Sequence, residues 1–123
     1  GYKVLEEDGK GFWEPYSLIA NVDRVDVAIL VQAPDTEYEG GLDVFEVYSH
    51  AGKAIEMYVF EDEAHVKWQP AHRLAVYQRN VEWFEFWLAG RKNCDPDRTA
   101  QYERWTAMVG APAADQLVCA SKN

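Results

Sequence analysis

Serine is scarce in this chain, and none of Ser17, Ser49 and Ser121 stands in a Gly-x-Ser-x-Gly turn. That absence excludes a self-contained hydrolase whose nucleophile sits on a sharp strand-to-helix elbow. Cations are also few: 12 Lys and Arg face 21 Asp and Glu, a formal net charge of −9. An acidic surface repels phosphate backbones and anionic lipid, so neither nucleic acid nor membrane is an expected partner. No apolar run approaches the roughly 20 residues that span a bilayer, and no signal-peptide pattern opens the chain. The missing signal carries little weight, because Gly1 reads as an interior residue of a longer protein. Cysteine is limited to Cys94 and Cys119, without metal or redox spacing. The two could pair in an oxidising compartment, but the reading favours free thiols. There is no internal repeat and no low-complexity tract.

What is present is an ordinary globular balance, 48% hydrophobic and 27% charged, in one domain's worth of 123 residues. Residues 1–12 are rich in glycine and charge, with Gly9 and Gly11 marking a turn. Trp13 to Ile19 reads as a short helix or an extended contact. Asp23 to Gln32 grows progressively apolar, and its β-branched run from Val27 to Val31 predicts a strand buried on both faces. A helix is predicted over Glu37 to His50, with Leu42, Phe45, Val47 and Tyr48 inward and Gly52 as its stop. Ile55 to Phe60 is the second strand.

Pro70 suits the first turn of the next helix, where its missing N–H costs nothing. Leu74, Tyr77, Val81, Phe84 and Leu88 recur there at steps of three and four and predict a buried stripe. Trp83, Phe86 and Trp87 widen it, and Gly90 ends the helix. Residues 91–123 read as a short terminal helix started by Asp95-Pro96, with Tyr102, Trp105 and Met108 inward. A loose tail is expected from Ala111 on. Strand, helix, strand, helix with short connections is a unit of parallel sheet with right-handed crossovers. Two strands leave sheet edges bare, so residues 1–123 are expected to be the last part of a larger α/β domain.

The candidate chemistry lies after the strands. His65 follows Phe60 in the acidic loop Glu61-Asp62-Glu63-Ala64, before the long helix. A loop at the carboxyl end of a parallel sheet can expose one imidazole nitrogen to a nucleophile while an acid orients the other. α/β-Hydrolases place their base on such a loop, with the acid upstream in chain order. Asp35 and Glu37, directly after the first strand, are the candidate acids. The bland alternatives are a surface histidine, and Asp35 or Thr36 as helix cap with Glu37 in the first turn.

Metal is not expected: Glu61, Asp62, Glu63, His65 and His72 are close in sequence, but no His-Glu-x-x-His helix is present. No cofactor is expected either. Trp68 is read as packing under His65 or lining a pocket. His72 and Arg73 are read as solvent-facing or paired with the acidic loop.

Two stretches carry a resemblance: Val59-Phe60-Glu61-Asp62-Glu63-Ala64-His65-Val66-Lys67-Trp68-Gln69-Pro70-Ala71-His72-Arg73, and Asn80-Val81-Glu82-Trp83-Phe84-Glu85-Phe86-Trp87-Leu88. Together with the element order, they make residues 10–90 similar to the C-terminal end of prolyl-oligopeptidase-family serine peptidases, in particular the bacterial lasso peptide isopeptidases. The resemblance implies an α/β-hydrolase domain behind an N-terminal β-propeller, with the nucleophile elbow upstream of Gly1. It implies His65 as the base of a serine mechanism and the isopeptide bond of a threaded lasso peptide as substrate. The wider family carries Asp at the acid position. The isopeptidase branch carries Glu, and this favours Glu37 over Asp35. A general dipeptidyl or acylaminoacyl peptidase, or a catalytically silent fragment, stands as the alternative. The compartment, cytoplasm or periplasm, is left open.

Overall fold

The computed structural model describes Gly11 and residues 13–120; the glycine-rich turn expected in residues 1–12 falls largely outside them. Turns of 3-10 helix at Glu14–Tyr16 and Val22–Arg24 lead into strand β1, Ile29–Pro34. Helix α1 is Tyr38–His50, strand β2 is Ile55–Phe60 and helix α2 is Pro70–Ala89. A two-residue strand β3, Arg91–Lys92, precedes helix α3, Thr99–Thr106, and the chain returns to β3 as β4, Val118–Cys119. Both sheets are two-stranded and parallel, with Ile29 paired to Ile55 and Pro34 to Phe60 in the first, and Arg91 to Val118 in the second.

Local sequence explains the boundaries. Gly52, at φ 67°, and Gly90, at φ 61°, take left-handed conformations that close α1 and α2 without a Cβ penalty. Pro70 opens α2, and the Asp95 carboxylate accepts the Asp97 N–H ahead of α3. Strand β1 lies further along than the β-branched run suggested, and only its last two residues, Ala33 and Pro34, are buried. Ile29 to Val31 are half-buried because a two-stranded sheet covers neither face fully.

The core differs most from expectation. Leu74, Tyr77, Val81, Phe84 and Leu88, predicted as the buried stripe of α2, are 56–80% exposed. The buried face carries Trp83 and Phe86, packed against Tyr102 and Trp105 of α3 with Trp87 beside them. Trp83 and Trp105 meet edge to face with centroids 5.0 Å apart, and Phe86 lies 5.5 Å from Trp105. Aromatic rings offer more area than aliphatic side chains, and each such pair adds about 0.5–1.5 kcal/mol. Helix α2 therefore has two apolar faces, and within these residues the aromatic one has the partner.

The expected loose tail is held as far as Ala120. Leu117 packs on the aromatic core, Ala120 N–H donates to Lys92 O, and Cys119 forms a disulfide with Cys94. The favoured free thiols are thus corrected: parallel pairing of β3 and β4 brings the two Cα atoms to 5.5 Å. Among the described residues no helix is long and apolar enough to cross a membrane.

Candidate active site

Parallel pairing decides what meets what. Strands β1 and β2 end in register, and Asp35 N–H donates to Phe60 O at 2.9 Å, so both following loops leave the same sheet edge side by side. One loop carries Asp35, Thr36 and Glu37; the other carries Glu61 to Gln69. His65 and Glu37, 28 residues apart in sequence, come together: His65 Nδ1 lies 2.7 Å from Glu37 Oε2. With Glu37 as the acceptor, Nδ1 is the donor, and in the neutral imidazole Nε2 then holds the free lone pair. Among the described residues Nε2 has no hydrogen-bond partner. The two side chains are 84% and 48% exposed. A pair so open contributes about 1 kcal/mol or less, so it does not hold its own loops in place.

Asp35 does something else. Its carboxylate accepts the N–H of Asp62 at 3.0 Å and of Glu63 at 3.5 Å. The Asp62 N–H above all holds its carboxyl below the ordinary value, against the opposing effect of burial. The alternative of a helix cap is not what the loop forms: α1 starts after Glu37 with no side-chain cap bond, from Asp35 or from Thr36. Thr36 Oγ1 instead donates to Glu63 O at 3.4 Å.

Glu63 is the residue that sequence reasoning missed. It is 4% exposed and accepts three hydrogen bonds, from Trp68 N–H at 2.6 Å, Gln69 N–H at 3.1 Å and His72 Nδ1 at 2.8 Å. Burial alone would push its carboxyl up, but the two N–H groups and His72 together hold it below the ordinary value. A signal was available. A helix opening on proline leaves the amides just before it in need of an acceptor, and an acidic residue five or six positions earlier can loop back to them.

The neighbours fall out as follows. His72 is paired with the acidic loop, one of the two readings given for it, and its ring lies tilted against Phe60 with centroids 5.3 Å apart. Trp68, expected under His65 or in a pocket, is 76% exposed, because the bond from its backbone N–H to Glu63 turns the side chain outward. A hollow of about 240 Å³ opens beside His65, bounded by Gln32, Lys67, Arg73 and Tyr77. Among the described residues no three His, Cys, Asp or Glu side chains converge as a metal site. Ser49 sits at the far end of α1, away from the edge that bears His65, and Ser17 Oγ accepts the N–H of Ala20. Ser121 lies outside the described residues. The assembled groups are an imidazole with one nitrogen facing a carboxylate and the other without a partner among the described residues.

No protein-family model matches the chain. It is 44% identical over 108 residues to the lasso peptide isopeptidase AtxE2 of Asticcacaulis excentricus, a match covering 88% of this chain and 16% of that protein. Two solved structures superpose on it. Apo AtxE2 isopeptidase matches with a TM-score of 0.78 at 45% identity, over 83% of this chain and 16% of that one. A serine-to-alanine variant of AtxE2 with Astexin3-dC4 bound matches with a TM-score of 0.75 at 47% identity, over 78% and 15%. The chain therefore spans about a sixth of the relative's length, and it is a homologue of that segment of a lasso peptide isopeptidase.

Proposed function

We propose that this chain supplies the base and the acid of a serine-type isopeptidase that opens the isopeptide bond of a lasso peptide. The observation that carries the reading is the Glu37–His65 contact at the carboxyl edge of a parallel pair of strands. Similarity to AtxE2, and the serine-to-alanine form of that enzyme with Astexin3-dC4 bound, support the substrate class and the kind of nucleophile. The serine belongs to polypeptide outside these 123 residues, within an α/β-hydrolase domain of the prolyl-oligopeptidase type that a β-propeller precedes. The exposed apolar stripe of α2 supports a larger domain, since a soluble protein rarely leaves so continuous a patch in water. Within that domain, α3 and the segment that returns to β3 as β4 pack against the aromatic face of α2.

In the reaction, the serine Oγ attacks the amide carbonyl and passes its proton to His65 Nε2. Glu37 holds Nδ1–H and stabilises the imidazolium as it forms. His65 then returns the proton to the leaving amine, and water attacks the acyl-enzyme with the same base assisting. No cofactor or metal enters this scheme.

The deciding experiment compares kcat/KM of the complete enzyme on a threaded lasso peptide, its unthreaded branched form and a short linear peptide. A rigid threaded substrate loses less freedom on binding, so it should be preferred. Fast cleavage of the linear peptide with the lasso left intact would point to a general dipeptidyl or acylaminoacyl peptidase. A complete enzyme that opens none of the three would be the silent alternative.

A further inference from the structure

We propose that Glu63 is a positioning residue, which sets His65 against Glu37 by tying both feet of the loop that carries the base. The inference rests on the reading of His65 and Glu37 as base and acid. Residues 64–67 form a short arch between β2 and α2, and His65 lies within it. At its first foot, the Asp35 carboxylate holds the N–H groups of Asp62 and Glu63, and Thr36 Oγ1 holds Glu63 O. At its second foot, Trp68 and Gln69 donate to the Glu63 carboxylate. The Glu63 side chain thus closes the arch on itself, beside a longer bond from Gln69 Nε2 to Asp62 O at 3.4 Å, and its own backbone is anchored to the loop that bears the acid. Asp62, at the first foot, adopts φ 52°, a left-handed conformation that Asp tolerates better than most non-glycine residues and that turns the chain into the arch.

Inside the arch, the described bonds are the His65–Glu37 contact and long ones from Lys67 Nζ to the carbonyls of Ala64 and His65. The position of His65 is therefore set at the feet. Glu63 itself is buried beneath the arch against His72, so it acts through His65 and touches no substrate. Replacing its carboxylate by an amide turns an NH2 toward one of the donors it now accepts, and that foot loosens.

The test uses the complete enzyme and the variants Glu63→Gln and Glu63→Asp, with exposed Glu61→Gln as control. Glu63→Gln is expected to lower kcat about 10- to 100-fold with KM within about threefold, because ground-state binding is untouched while base placement is lost. Labelling of the nucleophile by a fluorophosphonate should slow by the same factor, and Glu63→Asp should recover part of both. Wild-type kcat in a folded Glu63→Gln, or a rise in KM with kcat unchanged, would overturn the proposal. So would loss of soluble folded protein in both variants, since Glu63 would then be holding the fold and not the base. Retained activity in His65→Ala would instead bring down the reading beneath it.

Discussion

Asp35 and Glu37 stand two residues apart on one loop and point their carboxylates at different partners. The first takes backbone N–H groups of the opposite loop and the second takes the imidazole. The two therefore separate by mutation in the complete enzyme. Glu37→Gln keeps the shape but cannot stabilise an imidazolium, and should reduce kcat by roughly 10³-fold or more, as should His65→Ala. Asp35→Asn should cost far less in kcat and show mainly in thermal stability. The reverse ranking would hand the acid's role to Asp35.

Asp35 and Glu63 both have carboxyls lowered from ordinary values of 3.8 and 4.5. A lowered folded value means that the unfolded chain binds the proton more tightly. The stabilisation is then complete above the ordinary values and is lost as pH falls through the lowered ones. The thermal midpoint should hold steady from neutrality to about pH 5 and fall below about pH 4, less steeply in Glu63→Gln. An unchanged slope in that variant would remove Glu63 from the account. Which residues carry charge was plain from the sequence. That one carboxylate faces the imidazole and another the backbone depends on a facing loop 27 residues away.

Helix α1 lies close on the sheet because of one glycine. A Cβ on Gly41 would come within 2.9 Å of Val31 Cγ1, a stiff β-branched group in β1, whereas one on Gly40 would meet nothing within 4 Å. Gly41→Ala should destabilise by about 1–2 kcal/mol, overpacking outweighing the gain in helix propensity. Gly40→Ala should be neutral or stabilise by up to about 1 kcal/mol. Chemical denaturation of the two variants checks both signs. Helix α2 raises the same question on a larger surface. Its two apolar faces are both visible as periodicity, but periodicity cannot rank them. Burial in this chain goes to the aromatic face because α3 brings Tyr102 and Trp105 to it. If the other face meets the rest of a catalytic domain, Leu74→Gln with Phe84→Gln should cost the complete enzyme 2 kcal/mol or more. A loss under about 0.5 kcal/mol would mean that the stripe is solvated, and would sink the larger-domain reading.

For the molecule as a whole, the Cys94–Cys119 bond closes a 25-residue span around α3 and staples the terminal segment to the end of α2. Closing such a loop restricts the unfolded chain by about 3 kcal/mol, so reduction, or Cys94→Ser, should lower the thermal midpoint by several degrees. A midpoint indifferent to reductant would show that the staple contributes nothing.

Legible along the chain were the order of elements, the strand–loop position of His65, the pair of acids from which its partner comes, and the resemblance to an isopeptidase. These depend on local spacing, turn chemistry and wording along the chain. The folded packing was needed to show that Glu37 faces the imidazole and Asp35 the backbone, that Glu63 turns inward, that α2 buries Trp83 and Phe86 and leaves its leucines in water, and that the two cysteines pair. Each of those outcomes depends on which distant segment arrives opposite a residue. Parallel register and helix packing set that placement, and no run of neighbouring residues contains it.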